Sequence, residues 1–568
     1  MDVRLISAVF VCLFSFLHTA PAHSATDLNS AINSNAANEV TYVDARSFGA
    51  VGDGVADDTA AIQKAINEGK RIYLPGTSAY YKISSALTLS SSSSIAGDGL
   101  SSQIRQITPG ANVISGTSVK DVVITGLNIY GPGDASSDAT GNGIYLAGSS
   151  RVSVEGNRFE NIGNTGIHLK DTTYSQIVDN EMVSFVHYRQ DSADIALKYS
   201  SSYNTVSGNK CVSGSGTGIL VQAIKAGDGA NYNVIESNLV TAHDRYGIVL
   251  YAVNGATAAD VIGNTVIGNT VKDISDVTAT YFGAGIYAQG VRQTTIADNH
   301  IENTNNGTTN EMLAPGGIGV TGSSQVTVTG NTVENAKWYG ITLRDPFGIG
   351  GDYTVTGNTV LNPEKTGIYA IASENVTISG NTVSDGNSHG IHLFSSTGTS
   401  YAQIVGNTVE GNAKAGVNSA GYSHVTIKDN TASSNGTHGI SVQNGAEIDV
   451  EGNRASGNKV RGIDINSGNS LVRVIGNTAE SNAYGIVKNE SSAQVTFSGN
   501  VFISNTTVNW SGVPFADLPD DGSTPTVPRG AGLPDNPRSV EAPEASTLMM
   551  LATALGVIAL FPKKHNPS

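Results

Sequence analysis

A short phrase recurs along this chain: "TGIHLKD" at 165–171 has near copies in "YGIVLYA" at 246–252 and "HGIHLFS" at 389–395. Asparagines at Asn331, Asn358, Asn381, Asn407, Asn430, Asn453, Asn477 and Asn500 are separated by 27, 23, 26, 23, 23, 24 and 23 residues. Gly-Ile or Gly-Val pairs at Gly317, Gly340, Gly367, Gly390, Gly416, Gly439, Gly462 and Gly485 keep step with them. Earlier copies, at Asn157, Asn180, Asn209, Asn238, Asn264 and Asn299, are spaced more widely, and insertions in a repeat array collect in loops on one face. Each unit holds short runs of side-chain period two, such as "QVTVTGN" and "GIxL", too short to stand alone as strands. Stacking the units about 4.8 Å apart pairs equivalent strands in parallel and closes a continuous core. The expected fold is all-β, a parallel β-helix, right-handed by the bias of parallel crossovers. A turn residue in every coil explains the asparagine ladder without a functional role.

Composition agrees. Of 568 residues, 66 are glycine and only 14% are charged, which suits short strands and tight turns. The net charge of -16 argues against nucleic acid as a partner. Residues 1–25 read as a secretion signal, with Arg4, an apolar stretch and small residues at its end. Cys211 then stands alone in the exported chain, so packing and hydrogen bonds rather than disulfides must hold the fold, and Cys211 reads as buried filler.

The solenoid is expected over 43–510, with 43–90 as its N-terminal cap and first strands. Asp57 or Asp58 is placed to cap a helix whose Ala61, Ile62, Ala65 and Ile66 share one face, ending at Gly69 before the strand "RIYL". This segment, "FGAVGDGVADDTAAIQKAI", resembles the N-terminal signature of the pectate-lyase-like superfamily, which includes polygalacturonase-type hydrolases, mannuronan C5-epimerases, certain glucanases and phage tailspikes. The resemblance implies a right-handed β-helix with an N-terminal capping helix and a carbohydrate-related role. "GDGVADD" also looks like a calcium loop, but carboxylates at a helix start account for it, and no metal site is assigned.

Residues 511–542 are rich in proline, glycine and aspartate and read as linker. Residues 543–568 resemble the Pro-Glu-Pro sorting signal of Gram-negative bacteria. That implies export to the cell surface, an exosortase-type processing partner and transient membrane contact. Pro543-Glu544-Ala545 departs from the motif at its third residue. A plain anchor is the alternative, although the apolar run falls short of the roughly 20 residues that span a bilayer.

Counting from the glycine of "GIxL", residues one and three later point inward and residues two and four later outward, to solvent. The first outward column reads Tyr145, His168, Ala196, Leu220, Val249, Tyr287, Gly319, Thr342, Tyr369 and His392. The second reads Ala147, Lys170, Lys198, Gln222, Tyr251, Gln289, Thr321, Arg344, Ile371 and Phe394, with "ADIALKY" lacking the glycine. Lys170 and Lys198 fall about 5 Å apart, so an anion is needed between them. Asp171, Asp191 or Asp194 supplies it, or a substrate carboxylate does.

Insertions add His187, Arg189, His243, Arg245 and Tyr246 to this face. A lyase acting on an acidic sugar needs a cation for the enolate-like intermediate, a base and an acid. His168 or Tyr246 is the candidate base or acid, and Lys170, Lys198 and Arg245 the carboxylate-binding cations. Tyr145, His187, Arg189, His243, Tyr251, Tyr287 and Arg344 are candidate substrate contacts. The Asn-Thr-Asp, Asp-Asp and Gly-His-Gly set of the hydrolases is missing from the repeats. "YGITLRDP" has Thr342 and Arg344 where the epimerase motif has aspartate and histidine. The expected function is β-elimination on an acidic, uronate-containing exopolysaccharide. A hydrolase or C5-epimerase, or a non-catalytic envelope scaffold that binds polysaccharide, is the alternative.

Overall fold

A computed structural model describes residues 42–511, except 69–70, 134–139, 186–191, 254–255, 259, 277–282, 307–315, 346–347, 349, 396–400 and 490–492. The signal, the linker and the C-terminal segment lie outside the described residues, as does Gly69. Three parallel sheets run the length of the molecule, with 18, 17 and 17 strands. Each coil contributes one strand to each sheet, and every strand pairs with its counterpart one coil away. The chain is thus a parallel β-helix, as the repeat predicts.

The "GIxL" strands form what is called here the face sheet. Ile144, Ile167, Ile195, Ile219, Ile248, Ile286, Ile318, Ile341, Ile368 and Ile391 stack inside it in register and are fully buried. Branched side chains fit this pleated, buried position, and stacking identical ones lets each coil bury the apolar edge of the last. At the N-terminal end, helix α1 (Thr59–Asn67) packs fully buried Ile62, Ala65 and Ile66 against the first strands. Ala61 is only partly buried. The two aspartates divide the work: Asp57 Oδ1 accepts the N–H of Thr59 at 3.0 Å, while Asp58 accepts those of Val51 and Gly52 at 2.5 and 3.1 Å. Asp53 accepts the N–H groups of Val55 and Ala56, both at 2.8 Å, so the calcium-like loop directs its carboxylates at its own backbone.

The asparagine ladder carries a correction. The left-handed residue is the one before each asparagine, for example Gly406 (φ 64) or Asp429 (φ 54), and the asparagine itself is buried. Its side chain spans three coils: Asn407 Oδ1 accepts the N–H of Asn381 at 2.9 Å, and Asn407 Nδ2 donates to Ile378 O at 2.9 Å and Asn430 Oδ1 at 2.8 Å. The register also places Asn269, not Asn264, between Asn238 and Asn299. Asn264 ends a separate ladder with Asn204 and Asn233. Because each rung satisfies buried backbone groups above and below, Asn407→Ala is expected to cost about 3 kcal/mol or more through orphaned donors and acceptors, read as a drop in urea midpoint.

Candidate functional site

The two outward columns hold in the structure. Tyr145 pairs with His168, His168 with Ala196, Lys170 with Lys198, and Lys198 with Gln222. Asp194 occupies the place that glycine takes in the neighbouring coils. A third outward column precedes the glycine and brings Tyr246, Tyr339 and His389 to the same face. What the alternation does not convey is cover: Ala196, Leu220, Val249, Thr342 and Lys198 are all buried, Lys198 at 4% exposure. The expectation of a solvent-open face is therefore corrected. Ala193, Ala196, Leu220 and Val249 form a small outer core, with Tyr246, Tyr251 and Tyr287 packed on it.

These residues divide the face into two stations. At the N-terminal station His168 and Lys170 are half-buried. The rings of Tyr145 and His168 meet edge to face with centroids 5.2 Å apart. Lys170 Nζ lies 4.8 Å from the centre of the Tyr199 ring and makes no ion pair among the described residues. Neither candidate counter-ion that is described turns to the lysines. Asp171 accepts the N–H of Ser200 at 3.1 Å, and Asp194 faces the interior. Asp191 lies outside the described residues, as do His187 and Arg189. Beside Lys198, Gln222 is 7% exposed and its Oε1 has no hydrogen-bond partner among the described residues.

The second station begins in the strand next to that of Gln222, three strands or about 14 Å along the axis from His168. Tyr246 and Tyr287 stack at 5.5 Å and 8°. Tyr287 donates to Gln289 Oε1 at 2.7 Å, and burial pushes its hydroxyl pKa up to about 12. Burial also raises Tyr251. Arg344 lies beyond them, its pKa lowered by burial, with the hydroxyls of Tyr339, Tyr287 and Tyr369 acting against that shift. Arg245 is 8% exposed. His168 and Tyr246 consequently do not share one point on the face, although both were expected in a single cluster.

His243 is a second correction. It was expected to touch substrate, yet it is fully buried, with Nε2 2.9 Å from Asp194 Oδ2 and Nδ1 2.9 Å from Thr241 O. The substitution of aspartate into the glycine column makes this pair. A side chain there points into the solenoid: an added Cβ at Gly218 or Gly247 would fall 2.4 or 2.3 Å from a valine methyl. In the Asp194 coil the facing residue is the smaller Cys211, and Gly214 leaves room through which His243 of the next coil reaches the carboxylate. Burial, then Asp194, raises the Cys211 thiol pKa well above its usual value.

The sequence reading assigned no role to the row Tyr339, Tyr369, His392 and His389, with successive ring centroids 5.0, 4.9 and 4.7 Å apart, nor to Tyr199. His389 and Tyr339 were missed because they precede the glycine, outside both counted columns. Two concavities, of about 440 Å³ beside Asn157, Arg158 and Lys210 and about 470 Å³ beside Arg292 and Asp352, lie at turns away from the face.

Residues 42–264 match the family described as rhamnogalacturonase A/epimerase, pectate lyase-like, and residues 263–349 and 347–502 match the right-handed β-helix region. Together they support the pectate-lyase-like superfamily. Among solved structures, this chain is similar to PfbA, a surface adhesin of Streptococcus pneumoniae, at 14% identity over 61% of this chain and 91% of that one, TM-score 0.49. It is similar to a GH87 alpha-1,3-glucanase from Streptomyces thermodiastaticus at 16% identity over 70% and 65%, TM-score 0.46. An exopolygalacturonase from Thermotoga maritima gives 14% identity over 68% and 92%, TM-score 0.37. Sites rather than folds carry function, so the parallel β-helix leaves the assignment to the side chains of its face.

Proposed function

We propose that this is an exported protein that binds an acidic, uronate-containing polysaccharide along the face sheet and cleaves it by β-elimination at the N-terminal station. The supporting observation is Lys170, a half-buried cation without a carboxylate partner among the described residues, in register with Lys198. A cation in that position favours an anion beside it, and a uronate carboxylate is one. Gln222 Oε1, buried without a donor among the described residues, suits a sugar hydroxyl, and the rings of Tyr145 and Tyr199 suit sugar faces.

In this reading Lys170 and Lys198 hold the carboxylate. His168 removes the proton on the carbon bearing it, and the electron pair forms a double bond to the next carbon. The bond from that carbon to the glycosidic oxygen breaks, and the leaving oxygen takes a proton from solvent water. The lysines stabilise the charge that builds on the carboxylate in between. Incubation with a panel of acidic polysaccharides is expected to raise ultraviolet absorbance from unsaturated uronate ends, and Lys170→Ala to lower kcat/KM about 100-fold. Reducing ends without unsaturation would sink the lyase reading.

A second reading, polysaccharide binding without cleavage, is favoured by the distance between His168 and Tyr246, which leaves His168 without that acid beside it. Binding with no product in the same assay would select it.

A further inference from the structure

Away from the face sheet, Arg105 lies in the strand Gln103–Gln106 with its guanidinium 4.5 Å from the ring centre of Tyr80 and 4.1 Å from that of Tyr130. Tyr80 backs onto Gly54, where an added Cβ would come within 3.0 Å of the ring, so the absent side chain admits the ring. The outward register here reads Lys82, Arg105, Tyr130 and Glu160. Lys82 donates to Val55 O, and Glu160 is held by Arg158. The Tyr130 ring therefore stands between Arg105 and the nearest carboxylate in its own column.

Arg105 differs from six other described arginines. Arg46, Arg151, Arg158, Arg454, Arg461 and Arg473 each meet an aspartate or glutamate. Arg105 has no ion pair and no hydrogen-bond acceptor among the described residues, and its Nε is buried without a partner. A guanidinium packed against two rings keeps its N–H donors at its edge, where they lie in one plane. A carboxylate, planar and able to accept two parallel hydrogen bonds, fits that edge.

We propose that Tyr80, Arg105 and Tyr130 form a carboxylate-binding site, separate from the face sheet, that takes a uronate of a polysaccharide chain. The carboxylate chemistry stands on this geometry alone, and the uronate source rests on the preceding reading. A chain held here and on the face would be anchored at two places, so each site adds to retention of a long polymer without sharing in the cleavage step.

Calorimetric titration of the full chain with sodium galacturonate, sodium acetate and glucose tests the site. Galacturonate is expected to bind and glucose not to, and Arg105→Gln to weaken galacturonate at least about 10-fold. Arg105→Lys keeps the charge and the stem but loses the planar fork, and is expected to weaken binding as well. Acetate binding lost with galacturonate in both variants assigns the carboxylate as the group recognised; galacturonate binding without acetate binding assigns the sugar carboxylate as a unit. Galacturonate affinity unchanged in both Arg105 variants, or no galacturonate binding by the unaltered protein, overturns the site. The cleavage reading fails separately, if no unsaturated ends form while the Arg105-dependent binding persists.

Discussion

Replacing His243 with isoleucine destabilises the coils around it by about 3–5 kcal/mol, the usual cost of removing one partner from a buried charge pair. The physical reason lies in the proton count. Nδ1 of His243 faces a carbonyl oxygen, which only accepts, so that nitrogen must carry a hydrogen. Nε2 faces a carboxylate oxygen, so one further proton lies between the two groups, as imidazolium beside carboxylate or neutral ring beside carboxylic acid. Either arrangement is neutral overall and needs both partners. Isoleucine takes the imidazole away from the Asp194 carboxylate, which stays buried inside the solenoid beside the Cys211 thiol.

The control is the double replacement Asp194→Gly with His243→Ile. It restores glycine to the glycine column and gives position 243 the residue found one coil on: Ile274 follows Val271 by three residues, as His243 follows Val240, and is fully buried. The double variant is expected to recover most of the loss. Hydrogen exchange along the strands Ala193–Lys198, Lys210–Gly214 and Leu239–His243 reads this locally, which matters because neighbouring coils of a solenoid can open independently. Equal protection in the single variant and the unaltered chain would show that the pair contributes no net stability.

The Asp194 coil also shows where the sequence was legible and where it was not. A period near 23 fixes which residues share a column, because slipping by one would turn every apolar side chain outward. The alignment of Tyr145 with His168 and of Lys170 with Lys198 could thus be read without coordinates. Cover over the face could not, since it depends on Tyr246 and Tyr251 of one coil and Tyr287 of the next packing on Ala193, Ala196 and Leu220 of earlier coils. "ADIALKY" looked like an imperfect copy, yet its missing glycine is the origin of the buried pair. That meaning appears only with Cys211 and Gly214, residues 17 and 20 positions later in the same coil. Arg105 escaped notice because the first coils diverge most from the repeat, although Tyr80, Arg105 and Tyr130 are spaced 25 and 25 residues apart.

Acid should destabilise the coils around His389 more than a chain in which that position cannot titrate. His389 is 7% exposed, and the N–H of Ala415 points at its Nδ1 from 3.3 Å, which requires a lone pair there and hence a neutral ring. Burial, with Lys414 and His438 adding positive charge, pushes its pKa down to about 3. The unfolded chain has an ordinary histidine pKa near 6.5, so between about pH 6.5 and 3 it binds a proton that the folded chain refuses. Stability is therefore complete above about pH 6.5 and falls as the pH drops toward 3. At pH 4 the difference is about 3 kcal/mol, from roughly 2.5 pH steps at 1.36 kcal/mol each. Because glutamine can still accept the Ala415 N–H and does not titrate, His389→Gln is expected to flatten the acid limb by that amount while other acid-sensitive pairs act equally in both chains. His392, whose ring lies 4.7 Å from that of His389, is retained in both. Urea midpoints measured from pH 7 to pH 4 decide the matter, and parallel curves for the two proteins would mean that His389 admits its proton without opening the coil.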